Sequence, residues 1–273
     1  MATSFIGQME WPVKLDIQTI HLENTEDIID ISDSLVVPVL YDTLLIDPLV
    51  TSAVRKKQFI NQVLPAILIV RFQTENKSRK VEKVINKIAA NEPLRKGEKE
   101  YADSLMRRYR AKSYDNLLVR LKPTPTSLVL AQAAIESGWG KSRFALEGNN
   151  LFGIWTTSKD KNIIKSLYSR DDQQIYLKKY NNIAESIDHY FLTLGRHRAY
   201  RKFRLCRYEE ADVYELIDSL DKYSEMGEEY THLLKKVIEW NDLKEYDHYT
   251  IDPEYIQKKN WYSEILKKYR NNE

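Results

Sequence analysis

One glutamate, Glu136, follows an apolar stretch, residues 128–135, whose side chains recur at helical spacing. Gly138 and Gly140 come directly after it. Because glycine adopts the left-handed backbone that closes many helices, the pattern predicts a helix that ends just beyond Glu136. Thr124 predicts the start of this helix, as a hydroxyl cap that is followed by proline in the first turn.

Two effects are expected to raise the pKa of Glu136. Burial disfavours the charged carboxylate, and the negative end of the helix dipole disfavours an anion. A carboxyl group that stays protonated near neutral pH can act as a general acid. The alternative is a helix-end residue that points into water, and the helix pattern alone is compatible with both.

Longer motifs around Glu136 carry a family resemblance. The glutamate lies in the string AQAAIESGWGKSRFA, which is followed by GNNLFGIW. Together these strings resemble the glucosaminidase domain of bacterial cell-wall hydrolases, glycoside hydrolase family 73. A closer resemblance, to the Bax-like branch of endo-β-N-acetylglucosaminidase-related proteins, is carried by KKQFINQVLPAIL, ESIDHYFLTLGRHRAYRKFR and KYSEMGEEYTHLLKKVIEWNDL. It covers roughly residues 36–243.

The resemblance implies that Glu136 protonates the leaving oxygen of a glycosidic bond. In the family a second carboxylate comes from a small β-lobe, but the matching stretch here, roughly residues 165–170, contains no acid. Asp171 and Asp172 are the nearest carboxylates and the candidates for the catalytic partner, with Asp160 as a weaker substitute. Asp171 and Asp172 could equally be hairpin-turn aspartates.

A second route needs no second carboxylate, because the 2-acetamido group of the substrate can attack its own anomeric carbon. The protein then has to orient that group. By resemblance, Tyr223 stands where the family has a tyrosine that faces the catalytic glutamate, and its hydroxyl is a candidate donor to the acetamido group or to a water. Tyr200 is a weaker candidate, since a tyrosine there is more often a packing residue.

Further residues of these motifs are predicted to bind substrate: Trp139, Asn150, Phe152, Trp155 and Tyr200. In the family, the Asn-Asn-Leu-Phe-Gly segment builds the wall beside the catalytic glutamate. The alternative for Asn150 is a purely structural role, because asparagine suits tight turns. Trp155 is expected either to join the core or to form the floor of a sugar cleft.

The charge and the metal-binding residue types exclude several classes of function. The 273 residues carry 42 basic and 40 acidic side chains, a formal net charge of +2, which does not indicate nucleic-acid binding. A single cysteine, Cys206, rules out an internal disulfide, and the five histidines lack metal-ligand spacing. We therefore expect neither a metal nor a cofactor. The expected partner is the GlcNAc-containing glycan strand of peptidoglycan, bound by a monomer.

No apolar run is long enough for a membrane span, so none is expected. The first thirty residues also lack the pattern of a secretory signal. Action on the cell wall nevertheless requires a location in the envelope, either periplasmic or exported. We therefore expect that the natural chain carried an export signal that is missing here, or that it leaves the cell by another route.

The predicted fold is mainly α (α+β), with a lysozyme-like helical domain, a small β-hairpin lobe and additional helices at both ends. The predicted regions are an irregular N-terminal arm, a helical extension packed on the core, the glucosaminidase domain and a C-terminal helical extension; they comprise residues 1–35, 36–115, 116–243 and 244–273. The hairpin lobe is expected within residues 156–179.

Apolar spacing predicts helices within most of these regions. In the N-terminal extension they cover residues 54–72 and 77–90, and Pro65 is expected to kink or split the first of them. Further helices are predicted over residues 209–220 and from a Ser224 cap to about residue 241.

The predicted function is that of a peptidoglycan hydrolase, an endo-β-N-acetylglucosaminidase that cleaves a β-1,4 bond after N-acetylglucosamine. One alternative is a lytic transglycosylase, which also shows Glu-Ser at the end of an apolar helix. That group typically continues with a Gly-Leu-Met-Gln-type stretch rather than with Asn-Asn-Leu-Phe-Gly. The other alternative, a non-catalytic wall-binding or scaffold protein, is supported by the missing hairpin glutamate.

Overall fold

The structure, a computed structural model, describes residues 13–157, 160–170 and 173–258. Its α-helices are α1 (Ser52–Ala89), α2 (Lys96–Tyr109), α3 (Tyr114–Leu121), α4 (Thr126–Ser137), α5 (Arg143–Gly148), α6 (Ile183–Arg196), α7 (Arg201–Tyr208), α8 (Val213–Asp218) and α9 (Glu228–Trp240). Its strands are β1 (Val13–Leu15), β2 (Gln18–Ile20), β3 (Leu35–Val36), β4 (Val39–Tyr41), β5 (Trp155–Thr156), β6 (Ile163–Arg170), β7 (Gln173–Lys178), β8 (Thr250–Ile251) and β9 (Ile256–Lys258). The predicted fold class, mainly helical with a small β-lobe, is confirmed.

The longest element is α1, which runs for 38 residues. Two helices were predicted here, and the structure joins them into one. The helix does not split at Pro65, and that part of the prediction is wrong. The reason is burial: residues 59–70 are all buried, so core packing offsets the hydrogen bond that proline cannot make. Among the described residues, no helix has both the length and the apolar character needed to cross a membrane.

Helix α4 is the central element and is buried along most of its length. It begins at Thr126 with Pro125 as the N-cap, and not with Thr124 as predicted. The hydroxyl of Thr124 instead accepts a hydrogen bond from Arg207, at 3.0 Å. The free N–H of Ser127 is satisfied from far along the chain by Asp247, at 2.8 Å. A carboxylate at this end of a helix also interacts favourably with the helix dipole.

The predicted end of α4 is confirmed. Gly138 caps the helix with φ = +59°, and Gly140 follows with φ = +79°. A Cβ atom on Gly140 would lie 2.9 Å from a methyl carbon of Leu44 and 3.1 Å from the ring of Phe59. Glycine is therefore required at position 140 by its backbone and by the close approach of its neighbours.

One large apolar cluster holds the molecule together. It takes buried side chains from α1, α4, α6, α8 and α9 and from the short strands at both ends of the described chain. A second, smaller cluster lies where α2 and α3 meet α1 and α6. Residues of the N-terminal extension and of the region around Glu136 therefore share the main core.

The predicted hairpin is confirmed as the antiparallel pair β6 and β7. A third strand, β5, adds to it, because Trp155 pairs with Leu177 on β7. The order of this small sheet is β5-β7-β6. The hairpin returns the chain to α6, and the side chain of Asn182 caps that helix by accepting from the N–H of Glu185, at 3.1 Å.

The C-terminal helix predicted from residue 244 is wrong for the described part of that segment. A 3-10 helix, Leu243–His248, is followed there by β8, a second 3-10 turn and β9. Strand β9 pairs antiparallel with β1, and β8 pairs parallel with β3. The arm predicted as irregular therefore contains strands, because pairing between distant segments is invisible to local spacing. Residues 259–273 lie outside the described chain.

The helices before Glu228 also differ from the prediction. Helix α7 was not predicted, and the helix expected over residues 209–220 is reduced to α8. Glu210, with φ = +60°, interrupts the helical backbone between α7 and α8. Ser224 does not cap α9, because that helix begins after Gly227. The hydroxyl of Ser224 instead accepts a hydrogen bond from the N–H of Met226, at 3.3 Å.

Candidate active site

The carboxyl group of Glu136 lies in the last turn of α4 and is partly buried. The hydroxyl of Tyr230, in the first turn of α9, donates a hydrogen bond to its Oε1 atom at 2.8 Å. Burial raises the pKa of Glu136, while the hydrogen bond from Tyr230 acts in the opposite direction. The carboxyl group is therefore neither sealed in the core nor surrounded by water, and burial acts as the sequence predicts.

Four tyrosines surround this carboxyl group. The ring of Tyr223 stacks on that of Tyr230, with centroids 5.4 Å apart and an interplanar angle of 15°. Tyr190 and Tyr200 meet Tyr223 at centroid distances of 6.4 and 6.0 Å. Burial raises the pKa of all four hydroxyls, and the charge of Glu136 raises each of them further. These hydroxyls therefore stay protonated at neutral pH and are available as hydrogen-bond donors.

Two of the predicted site residues, Tyr223 and Tyr200, thus lie in the same cluster as Glu136. Tyr223 is partly buried and contacts the ring of the tyrosine that holds the carboxyl group. Tyr200 lies further out, between Tyr223 and His197, whose ring centroid is 5.8 Å away. The catalytic role of Tyr223 and the substrate contact of Tyr200 stay predictions.

Trp139, just beyond the end of α4, is held by α1. Its ring meets that of Phe59 edge-on, with centroids 5.6 Å apart, and the Nζ atom of Lys56 lies 5.1 Å from its centroid. These contacts favour an anchoring role for Trp139, because they attach the end of α4 to the N-terminal extension. Its contact with substrate stays a prediction.

Asn150 and Phe152 are placed as packing residues. Asn150 is 1 % exposed and donates to the backbone oxygens of Ile154, at 3.0 Å, and Lys178, at 2.9 Å. Phe152 is 7 % exposed and stacks on Tyr190 at 4.2 Å. Burial and internal bonding favour a structural role for both residues over the predicted contact with substrate.

Trp155, by contrast, is 56 % exposed on β5, an edge strand of the small sheet. An exposed aromatic face is a surface on which a sugar ring can stack. Of the predicted binding residues in the 150–155 segment, Trp155 is the one whose placement favours substrate contact. That contact stays a prediction.

The sequence model of the glucosaminidase family, described as mannosyl-glycoprotein endo-beta-N-acetylglucosaminidase, matches residues 111–270. This is more than half of the chain. The chain belongs to the glucosaminidase family. The match contains Glu136 and all four tyrosines of the cluster, while α1 and α2 precede it. The family resemblance of the motifs is thereby confirmed.

Two curated proteins are similar to this chain over 128 residues each. Protein bax of Escherichia coli (strain K12) is 31% identical, and the alignment covers 44% of this chain and 44% of that protein. Exo-glucosaminidase LytG of Bacillus subtilis (strain 168) is 27% identical, with 44% of this chain and 45% of that protein covered. The chain therefore matches less than half the length of either relative.

Two solved structures are also similar to this chain. The catalytic domain of the autolysin Auto from Listeria monocytogenes is 22% identical, with 60% of this chain and 96% of that chain covered and a TM-score of 0.38. A C-terminally truncated glycoside hydrolase domain of FlgJ from Salmonella typhimurium is 21% identical, with 52% and 97% covered and a TM-score of 0.35.

A second catalytic carboxylate was predicted at Asp171 or Asp172, and both residues lie outside the described ranges. Asp160 is described, in the turn before β6. It accepts from the hydroxyl of Thr156 at 3.1 Å and from the N–H of Asn162 at 3.2 Å, and these bonds lower its pKa. Asp160 is therefore an ionised residue bonded within its own loop. Within the described ranges, no group of three or more His, Cys, Asp or Glu side chains is arranged to hold a metal ion.

Two residues of the hydrogen-bond arrangement at Glu136 were not among the predicted site residues. Tyr230, which lies in the helix predicted from Ser224 to about residue 241, is the one that bonds Glu136 directly. Gln132 lies one turn before Glu136 in α4, and its amide donates to the hydroxyl of Tyr230 at 3.1 Å. A second polar residue on the same face of a buried helix was the available signal, because residues i and i+4 share a helix face.

Proposed function

We propose that this glucosaminidase is a peptidoglycan hydrolase that cleaves the β-1,4 bond after N-acetylglucosamine, with Glu136 as the general acid. The observation that carries the proposal is the partly buried carboxyl group at the end of α4, whose pKa is raised by burial. The proposal is supported by the family membership and by the name of one relative, the exo-glucosaminidase LytG. We place its action in the cell envelope, periplasmic or exported, as a monomer on a GlcNAc-containing glycan strand.

In the first step the protonated carboxyl of Glu136 gives its proton to the glycosidic oxygen. The bond between this oxygen and the anomeric carbon breaks, and its electron pair stays with the leaving sugar. Glu136 is then a carboxylate, which can take a proton from the water that enters in the second step. The hydrogen bond from Tyr230 stabilises this charged state, because it is donated to the carboxylate.

The positive charge that develops at the anomeric carbon needs a partner. One proposal is a carboxylate from the β-lobe, Asp171 or Asp172. The other is the 2-acetamido oxygen of the substrate, which closes a ring onto the anomeric carbon that water later opens. The second route is supported by the position of Tyr223, whose protonated hydroxyl lies in the tyrosine cluster and can donate to the acetamido group.

The deciding experiment is digestion of purified peptidoglycan followed by analysis of the new chain ends. We expect the wild type to release reducing-end N-acetylglucosamine and Glu136→Gln to release it about a hundredfold to ten-thousandfold more slowly. The matched control is Glu147→Gln, because Glu147 is an exposed glutamate that pairs with Arg143 on the neighbouring helix α5.

The products separate the alternatives. Anhydro-muramic ends would identify a lytic transglycosylase and contradict the hydrolase proposal. An unchanged polymer that still retains the wild-type protein in a pull-down would identify a wall-binding protein. Equal activity of the wild type and Glu136→Gln would remove Glu136 from the mechanism.

A further inference from the structure

Three hydrogen bonds follow one another on the buried side of Glu136. The hydroxyl of Tyr190 donates to Oε1 of Gln132. The Nε2 atom of Gln132 donates to the hydroxyl of Tyr230 at 3.1 Å, and Tyr230 donates to Oε1 of Glu136 at 2.8 Å. Tyr190, Gln132 and Tyr230 are all buried. We call this series, Tyr190–Gln132–Tyr230–Glu136, the relay.

The relay has a direction, because the oxygen and the nitrogen of the Gln132 amide are chemically different. The oxygen of Gln132 can only accept, and it faces the hydroxyl of Tyr190. The nitrogen of Gln132 can only donate, and it faces Tyr230. A tyrosine hydroxyl has one proton. Since Gln132 supplies a proton to the oxygen of Tyr230, the hydroxyl proton of Tyr230 is left to point at Glu136.

We propose that Gln132 and Tyr190 are positioning residues that keep Tyr230 a donor to Oε1 of Glu136, so that the catalytic proton is carried on Oε2. The inference rests on the proposed function, in which Glu136 is a general acid. With Tyr230 held as a donor, the protonated carboxyl cannot give its proton to that hydroxyl. The proton then remains available for the glycosidic oxygen.

Several groups that can titrate or carry charge face the relay from the elements packed against it. They are Tyr223 from the loop before α9, Tyr200 from the 3-10 helix Arg198–Tyr200 and Arg207 from α7, in addition to the relay's own tyrosines on α6 and α9. The tyrosines are neutral at working pH because burial raises their pKa. The positive charge of Arg207 acts on Tyr190 and lowers its pKa against this trend.

The test is the variant Gln132→Met, which keeps the side-chain volume and removes both amide groups. Tyr230 is then free to accept a proton as well as to donate one. The protonated form of Glu136 gains a hydrogen bond that it does not have in the wild type, so its titration midpoint should rise. The same bond directs the proton away from the substrate, so kcat on peptidoglycan should fall about tenfold. A higher protonated fraction combined with a lower rate is the signature of the relay.

The midpoint is measured without substrate, by ¹³C NMR of protein labelled at the glutamate carboxyl carbons. The resonance of Glu136 is the one that disappears in Glu136→Gln. A second variant, Tyr190→Phe, removes the hydrogen bond to the oxygen of the Gln132 amide and retains the ring that stacks on Phe152. Its midpoint should move in the same direction as that of Gln132→Met. The control is Tyr109→Phe, because Tyr109 is a buried tyrosine of the smaller core cluster; its midpoint should equal that of the wild type.

The outcomes separate this inference from the proposed function. A wild-type midpoint in both Gln132→Met and Tyr190→Phe would overturn the relay, even if kcat falls, because a purely structural loss does not change the titration. A lower midpoint would also overturn it, since it would mean that Gln132 accepts from Tyr230 in the wild type. If the wild type cuts no peptidoglycan, the proposed function fails and the titrations still decide the direction of the relay.

Discussion

The region before residue 111 and the region that matches the glucosaminidase family meet in one core, but they contribute different things to it. The first region, through α1, supplies apolar side chains such as Phe59 and Val63, which are fully buried. The second supplies the carboxyl group and the tyrosines around it. The turn after Glu136 belongs to the second region, yet Leu44, Ile46 and Phe59 of the first region surround its Gly140. The extension is therefore a structural part of the candidate site.

The surface of the first region and the candidate site differ in how they hold charge. In the first region the exposed ion pair Lys57–Asp30 lies on the surface, where such a pair contributes about 0–1 kcal/mol. At the site, the carboxyl group of Glu136 is bonded by a neutral tyrosine instead. The first region therefore stabilises the site by apolar packing, while the site keeps a carboxyl group that can be neutral.

The strongest test of the shared core is Phe59→Ala. Removing this buried ring should lower the free energy of unfolding by about 3–5 kcal/mol, because it leaves a cavity between α1 and Trp139. Urea unfolding measures the change. The control is Val54→Ala on the same helix, where the side chain is 46 % exposed and the change should stay within about 0.5 kcal/mol. Similar small changes in both variants would show that the extension does not belong to the core.

The next largest effect is expected for Gly140→Ala. The added methyl group would occupy a backbone with φ = +79° and approach three side chains of the extension to 2.9–3.1 Å. We expect a loss of about 1–3 kcal/mol in unfolding free energy. Gly97→Ala is the matched control, since no atom lies within 4 Å of its Cβ position and alanine is the better helix former, so this variant should be neutral or more stable. Equal thermal shifts in the two variants would contradict the packing of the turn.

A third prediction concerns the charge at the site. Activity should fall as the pH rises through the pKa of Glu136, because the general acid must be protonated. Tyr230→Phe removes the hydrogen bond that holds this pKa down against burial, so the descending limb of kcat/KM should move to higher pH. We expect kcat to fall about tenfold as the carboxyl loses its orientation. A limb that moves to lower pH would show that Tyr230 does not stabilise the carboxylate.

The smallest effect is expected in the second core cluster, away from the site. The buried hydroxyl of Tyr109 has no hydrogen-bond partner among the described residues. Tyr109→Phe should therefore raise the free energy of unfolding by about 1 kcal/mol, because an unsatisfied buried polar group is destabilising. Activity on peptidoglycan should not change. A loss of stability measured by calorimetry would show that this hydroxyl is satisfied in solution.

Features that depend on neighbours along the chain were predictable from the sequence. Helix α4 was predicted from apolar spacing and its end from Gly138, because both depend on interactions within one or two turns. The hairpin of β6 and β7 was predictable for the same reason. The predicted split at Pro65 was wrong, because the free energy that keeps α1 continuous comes from burial against other helices.

The order of residue types along the chain was enough to predict the family, the place of Glu136 at the foot of an apolar helix and the direction in which burial moves its pKa. The partners that bond its carboxyl group depend on the packing of distant elements. Tyr230 lies 94 positions after Glu136 and Tyr190 lies 58 positions after Gln132. Local periodicity records how one element faces the core. It does not record which side chain of another element arrives at the same point, because that depends on how the helices pack.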